Sequence, residues 1–223
     1  MFSSERTPKA EQTRTRIRDA AIRSFVERGY PDTTIRLIAS EAGVSVGNAY
    51  YYFPSKTHLV QELYQEVQRE HVRLATPLLK QTTGLVDRLR IVFESGLAVL
   101  APYQRVAPGF LSAMIAPDSP INPLSQESSP AREVTVGLIQ SAIDGADHRL
   151  PEDLTARMPD ALFVAHLGLV LRWTYDSTDQ HRGTQRLLDT ALRLFAVALP
   201  FARVPGVRGV ARDLLDQIAD VRA

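Results

Sequence analysis

The sequence predicts an all-α protein in which a small three-helix domain precedes a larger helical domain. Apolar residues recur at spacings of three and four along most of the 223 residues, which is the period of an amphipathic helix. The chain shows no run of alternating apolar and polar residues bounded by turns, so strands are not expected. Hydrophobic residues make up 44% and charged residues 23% of the chain, which is enough apolar material for a sizeable core.

The amino-terminal part begins with one amphipathic helix and a shorter second helix. Residues from Ile17 to Phe25 place apolar and small side chains on one face of the first helix, and Gly29 follows where a glycine commonly ends a helix. Either Thr33 or Thr34 can cap the second helix, which we expect to run to about residue 42.

Further helices follow a break at Gly43. Ser45 is placed to cap a third helix that ends near residue 53, where Pro54 stops it, and Ser55 caps a fourth through about residue 75. The prolines and serines of residues 117–130 predict a loop, which is a candidate gate for a pocket. Later helices are predicted over residues 85–100, 103–115, 131–143, 161–175, 184–201 and 207–222.

Composition argues against several classes of function. Because the chain has no cysteine, disulfides, thiol catalysis and cysteine-bound metals are excluded. No metal-ligand spacing and no nucleophile–base pair is present, so we expect neither an enzyme nor a cofactor. The polar start of the chain is no signal peptide, and the apolar residues 161–170 are too few to span a bilayer. We therefore expect a cytoplasmic protein with no membrane partner.

Residues 34–53 carry the most informative pattern. Two short helices must cross closely there, since Ala39 is small at the crossing and Gly43 permits the positive φ of a tight turn. The outward positions of the second of these helices hold small or hydrogen-bonding residues near its amino-terminal end. A helix with such a face fits the major groove of DNA. The first 58 residues also carry nine Lys and Arg against six Asp and Glu, although the whole chain has a net charge of only +1.

This segment resembles the TetR family of repressors. The resemblance is carried by Gly-Tyr at residues 29–30, Thr-Thr-Ile at 33–35, Ile-Ala at 38–39, Gly-Val-Ser at 43–45 and the run from Gly47 to Lys56. Ala49 departs from the pattern, where a larger aliphatic residue is usual. The match covers residues 11–71, which we expect to be the DNA-binding domain, with residues 75–223 as the ligand-binding and dimerisation domain.

The resemblance implies a role for each exposed residue of the motif. It implies that Arg36 contacts guanine and that Val46, Gly47, Asn48 and Tyr51 face base edges. It implies phosphate contacts for Thr34, Ser45, Tyr50, Tyr52 and Lys56. The alternatives are that Arg36 is an ordinary surface arginine and that the tyrosines pack within the protein, where we expect Tyr52 to be at least partly buried. We expect Arg6, Lys9 and Arg14 to form a solvated arm, with minor-groove binding as the alternative.

Two helices of the second domain are candidates for a subunit interface. Residues 161–173 are apolar almost all round, and residues 184–201 have a broad apolar face. By resemblance they would pair with their symmetry mates in a four-helix bundle, and the alternative is that both belong to the core of one subunit. A ligand pocket is expected among Phe93, Leu97, Phe110, Met114, Leu138, Phe163, His166 and Trp173, for each of which ordinary core packing is the alternative.

The resemblance implies a transcriptional repressor that binds palindromic double-stranded DNA as a homodimer and is released by a small-molecule effector. The alternative is an α-helical module that binds a protein or metabolite without specific DNA binding. Duplex binding that weakens steeply with salt favours the first interpretation.

Overall fold

The computed structural model describes residues 8–104, 107–116 and 119–219, and the all-α fold class is confirmed. No strand occurs within those ranges, and none of their helices has both the length and the apolarity of a membrane span. Arg6 lies outside the described residues. The helices are α1 (Pro8–Asp32), α2 (Ile35–Ala42), α3 (Val46–Tyr52), α4 (Lys56–Leu79), α5 (Leu85–Leu100), α6 (Ala107–Ile115), α7 (Ser129–Asp144), α8 (Glu152–Thr155), α9 (Met158–Thr174), α10 (Arg182–Ala198) and α11 (Pro205–Ala219).

Short 3₁₀ helices adjoin α5 and α10, at Ala101–Tyr103, Asp179–His181 and Leu199–Arg203. The chain divides into two compact units. The first comprises residues 1–65 and 105–128, and the second comprises residues 66–104 and 129–223. The boundary at residues 65 and 66 falls within α4, so the two units share this helix.

The predicted helix signals of the first unit are found at their expected positions. Gly29 interrupts the helical geometry of α1 with a φ of 82°, and the Thr33 hydroxyl donates to its carbonyl over 2.8 Å. Thr34, the second of the two candidate residues, caps α2 by accepting from the Leu37 amide over 3.2 Å. Ser55 accepts from the His58 amide over 3.2 Å at the start of α4. Side-chain oxygens thus satisfy helix amides that would otherwise be unpaired.

The segment between α6 and α7 is tied to α4 within the first unit, which argues against the gating role expected for it. Ile121 is fully buried, and its carbonyl accepts from the Tyr64 hydroxyl over 3.0 Å. Burial, with a smaller contribution from Tyr30, raises the pKa of Tyr64, so this hydroxyl keeps its proton. Gln61 donates to the carbonyl of Pro120 over 2.8 Å and to the Ser128 hydroxyl over 3.0 Å.

Helix α9 is central to the second unit, where it contacts α5, α7, α8, α10 and α11. Met158, Phe163 and Trp173 are among its buried side chains, which accounts for its almost uniformly apolar sequence. Next to α9, the buried Asp176 carboxylate accepts from the backbone amide and hydroxyl of Thr184 and fixes the start of α10.

Candidate DNA-binding surface

The turn between α2 and α3 requires a glycine. Gly43 has φ 63° and ψ 40°, a left-handed conformation that costs free energy for any residue with a Cβ. The amide of Gly43 donates to Ser40 over 3.1 Å, and that of Val44 donates to Ala39 over 3.0 Å. Arg16 of α1 donates to the Ala42 carbonyl over 2.5 Å. The carbonyls of Ala39, Ser40 and Ala42 at the end of α2 are therefore paired, and α3 leaves the turn in a fixed direction.

The seven-residue helix α3 is held by a cap and two buried side chains. Ser45 accepts from the Asn48 amide over 3.1 Å. Ala49 and Phe53 are buried on the inner side of α3, and Arg14 lies over the Phe53 ring at 4.6 Å. The small side chain at residue 49, noted as a departure from the family pattern, is fully enclosed.

The opposite side of α3 is exposed. Tyr51 is 81% and Tyr50 50% accessible, and Val46, Gly47 and Asn48 are exposed beside them. A Cβ added at Gly47 would meet no other atom within 4 Å, so packing does not require glycine there. An exposed helical glycine of this kind leaves the backbone open to close approach from outside the subunit.

Two predicted contact residues precede the turn. Thr34 and Arg36 are both exposed, and no residue in the described part of the chain forms an ion pair with Arg36. The Thr34 and Ser45 hydroxyls accept from amides of their own helices, which leaves each hydroxyl hydrogen available for a phosphate oxygen.

Tyr52 and Lys56 are held more tightly by the protein. Tyr52 is half-buried, as expected, and its ring meets that of Tyr51 edge-on at 5.3 Å. The Lys56 ammonium lies 4.1 Å from the centre of the Tyr30 ring and donates to the carbonyls of Tyr30 and Pro31. Burial lowers the pKa of Lys56, and Asp32 partly offsets this effect. Two of the three ammonium hydrogens are used, so one is left for a phosphate.

The interpretation of Arg14 as part of a free arm is wrong. Its guanidinium pairs with the Glu62 carboxylate of α4 through two nitrogens, one of them 2.7 Å from Oε1, and it also donates to the Tyr52 carbonyl over 3.4 Å. Arg14 thus joins α1, α3 and α4 and supports the exposed helix from behind. Lys9, by contrast, is exposed on the first turn of α1.

The residues predicted for a ligand pocket are distributed over both units. In the second unit, Phe93, Leu138, Phe163, His166 and Trp173 are buried and Leu97 is half-buried. In the first unit, Met114 is half-buried and Phe110 packs against the Phe25 ring at 5.1 Å and the Tyr30 ring at 5.6 Å. No cluster suited to a metal ion is found among the described residues.

The fold and the exposed face of α3 define a class of protein, the helix-turn-helix DNA-binding proteins. Two family sequence models match the chain. "Bacterial regulatory proteins, tetR family" covers residues 17–63, and "Tetracyclin repressor-like, C-terminal domain" covers residues 88–216. The chain therefore belongs to the TetR family, as the motif predicted, and its function is that of a DNA-binding transcriptional regulator.

Similar proteins include two curated regulators of Pseudomonas putida. The chain is 29% identical over 199 residues to the HTH-type transcriptional regulator TtgR, and the match covers 85% of this chain and 94% of TtgR. The same identity and coverage are found with the probable HTH-type transcriptional regulator ArpR.

Solved structures share the fold at lower sequence identity. A putative TetR-family regulator from Syntrophomonas wolfei has a TM-score of 0.68 at 16% identity, over 84% of this chain and 96% of that one. FadR from Bacillus subtilis, solved in complex with stearoyl-CoA, has a TM-score of 0.62 at 17% identity, over 78% of this chain and 95% of that one.

Proposed function

We propose that this regulator represses transcription by binding a palindromic operator as a homodimer, and that a small-molecule effector bound in the second unit releases it. The observation that carries the DNA-binding part is the exposed face of α3, with a glycine that packing does not require. The domain boundaries that we propose are residues 11–71 for DNA binding and residues 75–223 for regulation and dimerisation.

The exposed residues divide between base and phosphate contacts by their chemistry. The exposed guanidinium of Arg36, which has no ion-pair partner among the described residues, can bind guanine through two hydrogen bonds, and Val46 can contact a thymine methyl group. We assign base-edge contacts to Arg36, Val46, Gly47, Asn48 and Tyr51, and phosphate contacts to Thr34, Ser45, Tyr50, Tyr52 and Lys56. The phosphate contacts set the register on the duplex, and the base contacts set its sequence.

A homodimer is supported by apolar side chains left exposed on α10. Leu187, Ala191, Leu194 and Ala198 follow one another at helical spacing, and Leu194 is 70% accessible. Leu171 on α9 is also exposed. Contiguous apolar surface of this kind marks an interaction site, and a two-fold operator requires a two-fold protein.

Effector binding is supported by the family and by one structural neighbour. FadR from Bacillus subtilis holds stearoyl-CoA within the same fold. An effector releases the operator only if it binds more tightly to a state of the protein that does not fit DNA. We place its site in the second unit, most of which lies within residues 88–216, the range matched by the tetracyclin repressor-like C-terminal domain model.

DNA binding is tested by fluorescence anisotropy on the DNA upstream of the protein's own coding region. We expect Arg36→Ala and Tyr51→Ala each to weaken specific binding about tenfold, since one good base contact contributes roughly 1–3 kcal/mol. Arg149→Ala, an exposed arginine of the second unit, is the matched control and should bind like the wild type.

The salt dependence of the same binding separates the two interpretations of the chain. A repressor that contacts several phosphates loses affinity steeply as salt is raised. Absence of salt-dependent duplex binding, or wild-type affinity in both Arg36→Ala and Tyr51→Ala, would favour the module that binds a protein or metabolite without specific DNA contacts.

A further inference from the structure

Two histidines lie side by side in the core of the second unit. His166 of α9 is only 6% accessible, and its ring lies 6.1 Å from that of His71 on α4 and 5.9 Å from that of Phe93 on α5. The rings are nearly parallel, with interplanar angles of 21° and 23°. A buried imidazole must have hydrogen-bond partners to offset the loss of its hydration.

His71 has one such partner within the protein. Its Nε2 lies 2.9 Å from the Val92 carbonyl oxygen, which can only accept, so Nε2 carries the proton. Its Nδ1 is then an acceptor, and so is the Gln68 side-chain oxygen 3.4 Å away, which accepts from the Thr135 hydroxyl over 2.7 Å, so these two atoms form no hydrogen bond. Nε2 of His71 thus joins α4 to α5, and Gln68 joins α4 to α7 through Thr135.

His166 has a buried nitrogen, Nδ1, for which no hydrogen-bond partner is found among the described residues. An unpaired buried polar atom is destabilising, and phenylalanine would fill a similar space without that cost. The polar atom is therefore unexplained by packing.

Gly96 shows that the fold makes room for this ring. A Cβ at residue 96 of α5 would lie 2.6 Å from Cε1 of His166 and 3.2 Å from Cε1 of His71. Glycine in the middle of a helix is itself unfavourable. The helical glycine and the unpaired imidazole nitrogen each reduce stability, and they lie next to each other. This is the pattern expected of a functional site.

We propose that Nδ1 of His166 forms the orienting hydrogen bond to the effector, and that the effector is an uncharged, largely apolar molecule carrying a hydroxyl group. A hydroxyl can donate and accept, so it pairs with either tautomer of a neutral imidazole. A few polar atoms among apolar and aromatic side chains are the usual composition of a small-molecule site. The inference rests on the proposed function, because it names the chemistry of that effector.

The protonation of the two histidines supports an uncharged ligand. Burial and the neighbouring His71 lower the pKa of His166 to about 3. Burial also lowers the pKa of His71, against the opposing effect of the Val92 carbonyl. Both rings are therefore neutral at neutral pH. A charged ligand would lose its hydration on burial, as a charged histidine would, and neither ring would supply an opposite charge to offset that cost.

The test uses three probes of one shape: 1-indanol, which carries a hydroxyl, indane, which lacks it, and indane-1-carboxylate, which is charged. Calorimetry on the full-length protein without DNA should show 1-indanol binding about tenfold more tightly than either of the others, the effect of satisfying one buried polar atom. In His166→Phe, which keeps the flat ring and removes the nitrogen, 1-indanol and indane should bind equally. Gly168→Ala, on the same helix where an added Cβ meets nothing within 4 Å, should keep the wild-type preference.

A spectroscopic measurement makes the test independent of the variants. In protein labelled with ¹⁵N in histidine, 1-indanol should change the Nδ1 resonance of His166 and leave that of His71 in place. Equal affinities of the wild type for 1-indanol and indane, tighter binding of the carboxylate, or an unchanged His166 resonance would overturn the proposal. Operator binding without any probe is measured separately, so loss of that binding would count against the proposed function and not against this site.

Discussion

Arg88 of α5 provides a sharp prediction about the stability of the second unit. Its buried guanidinium donates to the carbonyls of Ala142 over 2.7 Å, Ser141 over 2.9 Å, and Leu79 and Thr82 over 2.5 Å each. These carbonyls lie at or near the carboxyl-terminal ends of α4 and α7, where the helix dipoles are negative and favour a cation. The described residues include no ion-pair partner for Arg88, so the carbonyls themselves compensate its charge.

The expected cost of Arg88→Met follows from two opposing effects. Hydrogen bonds to a charged group contribute roughly 1.5–3 kcal/mol each, but four bonds from one side chain are not additive. Removing the cation also removes its desolvation penalty, which is several kcal/mol. A groove of about 550 Å³ lined in part by Arg88, Thr82 and Ser141 lets water reach some of the carbonyls. We expect a net loss of about 3 kcal/mol.

Thermal unfolding followed by circular dichroism measures this loss. For a chain of this length, about 3 kcal/mol corresponds to a decrease in Tm of roughly 6–12 °C. The matched control is Arg90→Met, on the same helix, where the arginine forms partly exposed ion pairs with Asp189 and Glu94 that contribute at most about 1 kcal/mol. If the two substitutions lowered Tm equally, the reasoning about buried carbonyls would be refuted.

Three further substitutions test other parts of the structure. Gly43→Ala should lower the free energy of unfolding by about 1–2 kcal/mol, because an alanine would be forced to a positive φ and its Cβ would lie 3.2 Å from Arg16. Chemical denaturation measures this loss, and an unchanged denaturation midpoint would contradict the prediction. Leu194→Arg should convert the proposed dimer to a monomer in light scattering and weaken operator binding, whereas a dimer that persists would place the interface elsewhere. Asp176→Asn should lower Tm at pH 7, with a difference from the wild type that shrinks below about pH 4. Burial raises the pKa of Asp176, but the hydrogen bonds from Thr178 and Thr184 together lower it more. The ionised carboxylate therefore stabilises the fold above its unfolded-state pKa, and this stabilisation is lost as pH falls toward the folded-state pKa. A Tm difference between variant and wild type that stayed constant down to about pH 2 would contradict the prediction.

Local signals in the sequence predicted the parts of the fold that depend on neighbouring residues. Ser45, Gly43 and Thr34 act within one or two helical turns of their own position, so their cap and turn roles follow from residue type and spacing alone. The exposed face of α3 was predicted for the same reason, since burial of Ala49 and Phe53 fixes which side chains point outward.

Long-range pairs could not be predicted in this way. Arg14 meets Glu62 across 48 residues and Arg88 meets Ala142 across 54, and nothing in their local sequence distinguishes them from ordinary surface arginines. The exposed apolar residues of α11, among them Val210, were not recognised either, because an amphipathic pattern does not tell whether the apolar face meets its own subunit or a partner.

The account depends on the exposed face of α3 lying against DNA, and Gly47→Ala tests this most directly. The added methyl group meets nothing within 4 Å in the protein and replaces a helical glycine, so Tm should stay the same or rise. If the backbone at residue 47 approaches the bases, the methyl group should weaken operator binding about tenfold in fluorescence anisotropy. A stable Gly47→Ala protein that binds the operator as tightly as the wild type would contradict the central claim.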